Sequence, residues 1–228
     1  AKTTSVRERN MQKRRMRILN EARRLLSDGF EALNVRELAH QAGVTVPTIY
    51  NLIGKKEDVL LALVDDVLNE IETRVYHSHE DEPLKMATNV VTESAKLFAE
   101  DENYYRSAFI AVEGLDQSGL HHAAVERVYA WAATMMKRGV DTCREAGLLR
   151  GKISSSDMSA LMIRNYRISC RSWAFGHATI EEFCDQVVGD IYLILAADAV
   201  ETFHAQLIRK LKKRHSSRSS NKRKRVTP

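Results

Sequence analysis

Apolar residues recur at three- and four-residue steps along almost the whole chain, the spacing that lines one face of an α-helix. Ile18, Ala22, Leu25, Leu26 and Phe30 predict a first helix that runs to about Asp28, where Gly29 stops it. Leu60, Leu63, Val64, Val67, Leu68, Ile71 and Val75 predict a long helix reaching about Tyr76. His77–Glu82 is a polar break, and Pro83 opens a helix to about Ala99. A shorter helix follows around Tyr104–Gly114, with a turn at Asp116–Gly119. Further helices are predicted over about His121–Ala146, from a Ser154 cap to about Phe175, and over about Ile180–Leu211, the last opened by a Thr179/Glu182 capping box. No segment alternates with period two and no repeat is present, so the pattern predicts an all-α protein of about nine helices. The stripes Phe183, Val187, Ile191, Leu195, Ala199 and Val188, Tyr192, Ala196, Phe203 make the end of this bundle apolar over a wide arc. Such a face predicts packing on more than one side, here a homodimer through the last two long helices.

Between the first helix and the long one at Leu60 lies Asn34–Tyr50, which reads as two short helices and a tight turn. Asn34 caps the first, and Glu37 is spaced to reach back to it. Leu38 and Ala39 form its apolar face, Gly43 ends it, and Val44 plugs the space before the second helix. Thr45 stands at the cap of that helix with Pro47 in its first turn, where a missing N–H costs nothing. Two helices joined by a short glycine-containing turn carry the helix-turn-helix signature.

Charge sharpens this picture. Residues 1–60 hold 12 Lys/Arg against 7 Asp/Glu, residues 61–208 hold 13 against 23, and the last 20 hold 10 against none. Two basic ends flank an acidic middle, which predicts polyanion binding at the ends. Boundaries follow: a basic arm at 1–15, a helix-turn-helix domain at 16–56, a second helical domain at 57–211, and a basic tail of disordered composition at 212–228. Arg14, Arg17, Arg23 and Arg24 give the first helix a cationic face suited to phosphates. No stretch is apolar enough to span a membrane, and the N-terminus lacks the apolar core of a secretion signal. Cys143, Cys170 and Cys184 read as reduced, packed thiols, so a cytoplasmic protein is expected.

Gly29-Phe30, Val35-Arg-Glu-Leu-Ala39, Ala42-Gly-Val-Thr45, Thr48-Ile-Tyr50 and Lys56-Glu-Asp-Val-Leu60 together resemble the N-terminal domain of the tetracycline-repressor (TetR) family. The resemblance covers residues 18–64, about a fifth of the chain, in a long ordered string. It implies that the second and third helices bind DNA and that the remaining helices bind a ligand and dimerise. By position, Thr45, Tyr50 and Lys56 resemble phosphate ligands, which need donors rather than base selectivity. Val46, Pro47, Thr48 and Asn51 would face the major groove, with Arg36 near backbone or an adjacent base edge. Val46 and Pro47 read only shape or a thymine methyl, which leaves polar readout to Thr48, Asn51 and Arg36. Three departures alter details. Asn51 follows Tyr50 where the family commonly has a second aromatic, Ile53 replaces a Phe, and Lys55 stands where a capping Ser is common. Lys55 weakens that cap and adds a cation near the DNA backbone.

In the second domain, Tyr105, Phe109, Trp131, Met135, Met136, Tyr166, Cys170 and Trp173 are candidates for lining a ligand pocket. Met and aromatic residues at helical spacing are equally core packing. Their chemistry suits a small hydrophobic effector, while Asn165 and Arg167 are candidate ligand donors or dimer-edge groups. His77, His79 and the pair His121–His122 lack the spacing of a metal site, so no metal or cofactor is expected. No phosphate loop, nucleophile elbow or HExxH motif offers a catalytic residue, so an enzyme is not expected. The sequence therefore predicts a dimeric DNA-binding regulator of a palindromic operator, released by a small molecule. Its alternative is an architectural or partner-recruiting DNA-binding protein without an effector.

Overall fold

The computed structural model describes residues 5–78, 82–117 and 122–225. Among them are ten α-helices and no strand: α1 Val6–Ser27, α2 Val35–Gln41, α3 Val46–Leu52, α4 Lys56–His77, α5 Pro83–Glu100, α6 Glu102–Gln117, α7 His122–Glu145, α8 Ser155–Ala174, α9 Ile180–Ala196 and α10 Glu201–Arg225. A 3-10 turn at Phe30–Ala32 joins α1 to α2. The expected turn at Asp116–Gly119 falls partly on α6 and partly, at 118–119, outside the described residues, as do His79 and His121. No helix of the described residues is long and apolar enough to cross a membrane.

The described residues form two compact units. The first comprises those of Ala1–Thr73 and Phe98–Glu126. Here α1 is the central support, packed on α2, α3, the 3-10 turn and α6. Ile18, Leu26, Leu33, Leu38, Ile49 and Tyr104 are its most buried large side chains. Burying side chains of that size stabilises by roughly 1.5–3 kcal/mol each before chain entropy is set against it.

The second unit comprises the described residues of Arg74–Leu97 and Arg127–Pro228. Its centre is α9, packed on α8 and α10. Phe183 of α9 meets Tyr166 edge-on with ring centres 5.6 Å apart, and lies 6.3 Å from Trp173. The Ser154 cap and the Thr179/Glu182 capping box expected from sequence are both formed.

The single long helix expected from Ile180 to Leu211 is instead two, α9 and α10, broken at 197–200. The cause is Asp198, which is only 1% exposed. Its carboxylate accepts the Gly151 and Lys152 N–H groups at 2.9 and 3.0 Å, and its carbonyl accepts Arg150 N–H at 2.7 Å. Val200 donates to the Leu148 carbonyl at 3.0 Å, and Leu149 forms an isolated bridge with Ala199. The apolar four-residue step survives the break, from Ile191 and Leu195 through Ala199 to Phe203 and Leu207. Periodicity therefore runs straight across a site where the backbone leaves the helix.

At the far end, α10 continues to Arg225, so the stretch expected to be irregular is helical over 212–225. Lys and Arg are good helix formers, and no Gly or Pro interrupts them before Pro228.

Candidate nucleic-acid interface

The hairpin of α2 and α3 is set by three local devices. Asn34 Oδ1 accepts the Glu37 N–H at 2.9 Å and caps α2. Glu37 does not complete the reciprocal box expected of it. Its carboxylate takes the Gln41 side-chain N–H at 2.6 Å, while Asn34 N–H donates to the Ala32 carbonyl. At the turn, Gly43 adopts φ +59, a conformation costly for other residues, and Val44 N–H returns to the Ala39 carbonyl at 3.0 Å. Arg17 of α1 donates to the Gly43 carbonyl at 3.5 Å, fastening the turn to the support helix.

Thr45 occupies the cap position of α3, but its hydroxyl bonds to the Thr48 hydroxyl at 2.9 Å and not to a backbone N–H. Ile49 is fully buried and fixes which face of α3 turns inward. Opposite it, Thr45, Pro47, Tyr50 and Asn51 are exposed, with Val46 and Thr48 half-buried. Tyr50 stands 51% exposed, a large aromatic left in solvent beside hydroxyl and amide groups. Arg36 of α2 is exposed as well.

At the start of α4, the Lys55 N–H donates to Asp58 Oδ2 at 2.8 Å. The carboxylate half of a capping box is thus present where the hydroxyl half is missing, and the Lys55 side chain is left exposed. Asp58 needs the space that Gly54 leaves, since a Cβ there would lie 2.2 Å from Asp58 Oδ2 at φ +131. Lys56 Nζ rests 4.2 Å from the Phe30 ring centre, which orders this cation. Ile53 is half-buried.

The feature least visible in the sequence is the start of α1. Ser5 and Glu8 form a complete capping box, Ser5 N–H to Glu8 Oε2 at 2.7 Å and Glu8 N–H to Ser5 Oγ at 3.2 Å. The helix therefore begins at Val6, and the basic arm is helical from there. It runs beside α3, and the two enclose a groove of about 660 Å³ lined by Val6, Arg7, Asn10, Met11 and Arg14 on one wall and Thr48, Asn51 and Leu52 on the other. Asn10 and Met11 were not singled out from sequence, although Ser-x-x-Glu ahead of the arm was the signal that could have placed them.

The ligand candidates separate. Tyr105 and Phe109 lie on α6 in the first unit, Trp131, Met135, Tyr166, Cys170 and Trp173 in the second. Tyr105 is buried and accepts a hydrogen bond from Arg23 at 3.1 Å. Tyr166 donates to Ser94 Oγ at 3.1 Å, and it, Cys170 and Trp173 are packed core groups. Phe109, Trp131 and Met135 are half-buried, and Met136 is fully buried. Of the two polar candidates on α8, Asn165 is half-buried, and Arg167 lies 4.6 Å from the Tyr129 ring centre.

Residues 18–63 match the family model described as bacterial regulatory proteins, tetR family. Three solved structures share the fold over most of their length. The TetR transcription regulator from Haloarcula marismortui is 11% identical at a TM-score of 0.68, covering 83% of this chain and 100% of its own. The putative TetR-family transcriptional regulator from Syntrophomonas wolfei is 19% identical at 0.66, covering 80% and 95%. The FadR repressor from Thermus thermophilus, solved with lauroyl-CoA, is 21% identical at 0.58, covering 82% and 96%. No curated protein matches the chain.

Proposed function

We propose that this chain acts as a homodimeric repressor of a palindromic operator, released by a small hydrophobic effector, because residues 18–63 match the TetR-family model and the fold is shared with solved TetR-family regulators. The observation that carries the reading is the exposed outer face of α3, polar and hydroxyl-rich, beside a groove edged by Arg7 and Arg14. Thr48, Asn51 and Arg36 read base edges in the major groove, and Val46 and Pro47 meet thymine methyls or shape. Thr45, Tyr50, Lys55 and Lys56 hold phosphates. Because Thr45 and Thr48 are bonded to each other, a phosphate or base that engages one also orients the other.

Dimerisation is supported by an apolar stripe on α8. Leu161, Ile168 and Phe175, seven residues apart, are 40%, 59% and 46% exposed, and Leu193 of α9 is 55% exposed. Seven-residue steps keep side chains on one side of a helix, and monomers rarely leave such rows in water. A palindromic operator read on one face of the duplex would call for half-sites about 34 Å apart, one turn of duplex.

For the effector, Trp131 and Met135 of α7 are the half-buried candidates of the second unit, within reach of a ligand without displacing packed core. Trp131 Nε1 is buried and without a hydrogen-bond partner, a donor available to a ligand oxygen. Lauroyl-CoA, the molecule held by the Thermus thermophilus relative, is the natural first compound to add.

A gel shift on the DNA flanking the protein's own gene, with sedimentation on the same sample, tests this reading. The expected result is one shifted species from a dimer, weakened by the hydrophobic compound, with a slope of log K against log salt near −7 for about 8 phosphates. A folded dimer that gives no shift at low salt would sink it.

A further inference from the structure

We propose that the end of α10 is a second, sequence-independent DNA-binding element that grips phosphates through residues 212–225. The proposal rests on the reading of the protein as a DNA-binding regulator.

The first half of α10 is anchored in the ordinary way. Phe203 and Leu207 are buried and Leu211 half-buried, on a helix packed against α9. Arg214 pairs with Asp185 of α9 and lies 5.7 Å from the Tyr192 ring centre. From Lys212 onward the composition changes completely. Residues 212–225 contain eight Lys/Arg, one His, four Ser and one Asn, with no acidic and no apolar residue.

Three consequences follow. A stretch without an apolar residue has no apolar face to bury, so beyond the contacts of Arg214 with α9 hydrophobic packing cannot be the use of this segment. For the same reason it cannot lie in a membrane interface, which requires an apolar face opposite the charges. And every one of these side chains is a hydrogen-bond donor. Side chains that can all donate, more than half of them charged, have phosphate oxygens as a matching partner.

The density of charge agrees. Fourteen helical residues at 1.5 Å each span about 21 Å, or about one cation every 2.6 Å, against one phosphate per about 1.7 Å of duplex axis. Binding would therefore be driven by counterion release and would not depend on base sequence.

The test compares the full chain with two variants, one with Lys222→Gln, Arg223→Gln, Lys224→Gln and Arg225→Gln together, and one ending at Leu211. Fluorescence anisotropy follows a short duplex of random sequence from about 50 to about 300 mM salt. Circular dichroism and sedimentation confirm that fold and assembly are kept. The quadruple variant should lower the steepness of log K against log salt by about 3–4 per chain, and weaken binding at least about tenfold at low salt. The chain ending at Leu211 should lose more. Unchanged slope and affinity would overturn the proposal. So would wild-type binding to phosphatidylserine vesicles that the quadruple variant loses while its duplex binding stays intact. A Thr48→Ala/Asn51→Ala chain separates the two readings, because it should lose any operator preference and keep this salt-dependent binding.

Discussion

The Arg23 guanidinium donates to the Tyr105 hydroxyl at 3.1 Å, tying α1 to α6 inside the unit that carries the helix-turn-helix. The same guanidinium lies 4.4 Å from the centre of the Tyr104 ring, which meets Tyr105 edge-on at 4.8 Å. α6 is thereby fastened to the helix that supports α2 and α3. Tyr105→Phe removes one hydrogen bond and should cost about 1 kcal/mol. Arg23→Met should cost more, about 2 kcal/mol, since it also leaves a buried hydroxyl unpaired and ends the cation–ring contact. Urea unfolding reads both. Equal stabilities for the two variants and the wild type would show the cluster to be idle.

Gly139 of α7 crosses α5 so closely that a Cβ would lie 2.4 Å from the Ala87 Cα. Alanine gains up to about 1 kcal/mol in helix propensity over glycine, while overpacking costs about 1–3 kcal/mol. The obstacle here is backbone, which cannot rotate away, so packing wins. Gly139→Ala should lower stability by about 1–2 kcal/mol in thermal or urea unfolding. A gain would mean that the two helices slide apart freely.

Asp198 holds the break between α9 and α10 by accepting two backbone N–H groups from the loop at 151–152. Asp198→Ala removes two hydrogen bonds to a buried charged acceptor, at about 1–3 kcal/mol. Asp198→Asn keeps an acceptor and should recover part of the loss. Urea midpoints of the two variants decide it, and equal losses would contradict a hydrogen-bonding role.

Alkaline pH should weaken the fold. Burial pushes the Cys143 thiol up to about 12. Burial also raises the Tyr104, Tyr105 and Tyr166 phenols above their usual range, opposed at Tyr104 and Tyr105 by Arg23. In each case the folded state favours the neutral form. Its contribution is complete below the unfolded pKa and is lost as pH rises toward the folded value. Urea midpoints should be flat from about pH 7 to 8 and fall above about pH 9, by at most about 1.4 kcal/mol per unit per group. Cys143→Ala should flatten the first part of that fall.

Much of this molecule was legible because helices advertise themselves by period. The ends of the middle helices and the Ser154 and Thr179 caps follow from local chemistry. What escaped were events in which a side chain chose a partner outside its own helix or a neighbour on the other side. Asp198 bonds a loop almost fifty residues earlier, so the stripe through Ala199 looked continuous. Glu37 turned to Gln41 instead of Asn34, two options that spacing ranks equally. Tyr105 looked like a pocket aromatic because periodicity reveals burial and not the Arg23 beneath it.

Base readout and phosphate holding make opposite predictions for neighbouring residues. Lys55→Ala should weaken binding to all sequences alike and reduce the salt slope by about 1. Asn51→Ala should cost about 1–3 kcal/mol on the preferred site alone and relax preference at one position.

The most direct measurement is selection of bound fragments from randomised duplex DNA by the purified wild-type chain and by the Thr48→Ala/Asn51→Ala chain. The wild type should enrich an inverted repeat with half-sites about one helical turn apart, and the double variant should enrich none. A folded wild-type protein that enriches no sequence, or a double variant that enriches the same one, would contradict the assignment of α3 as the reading helix.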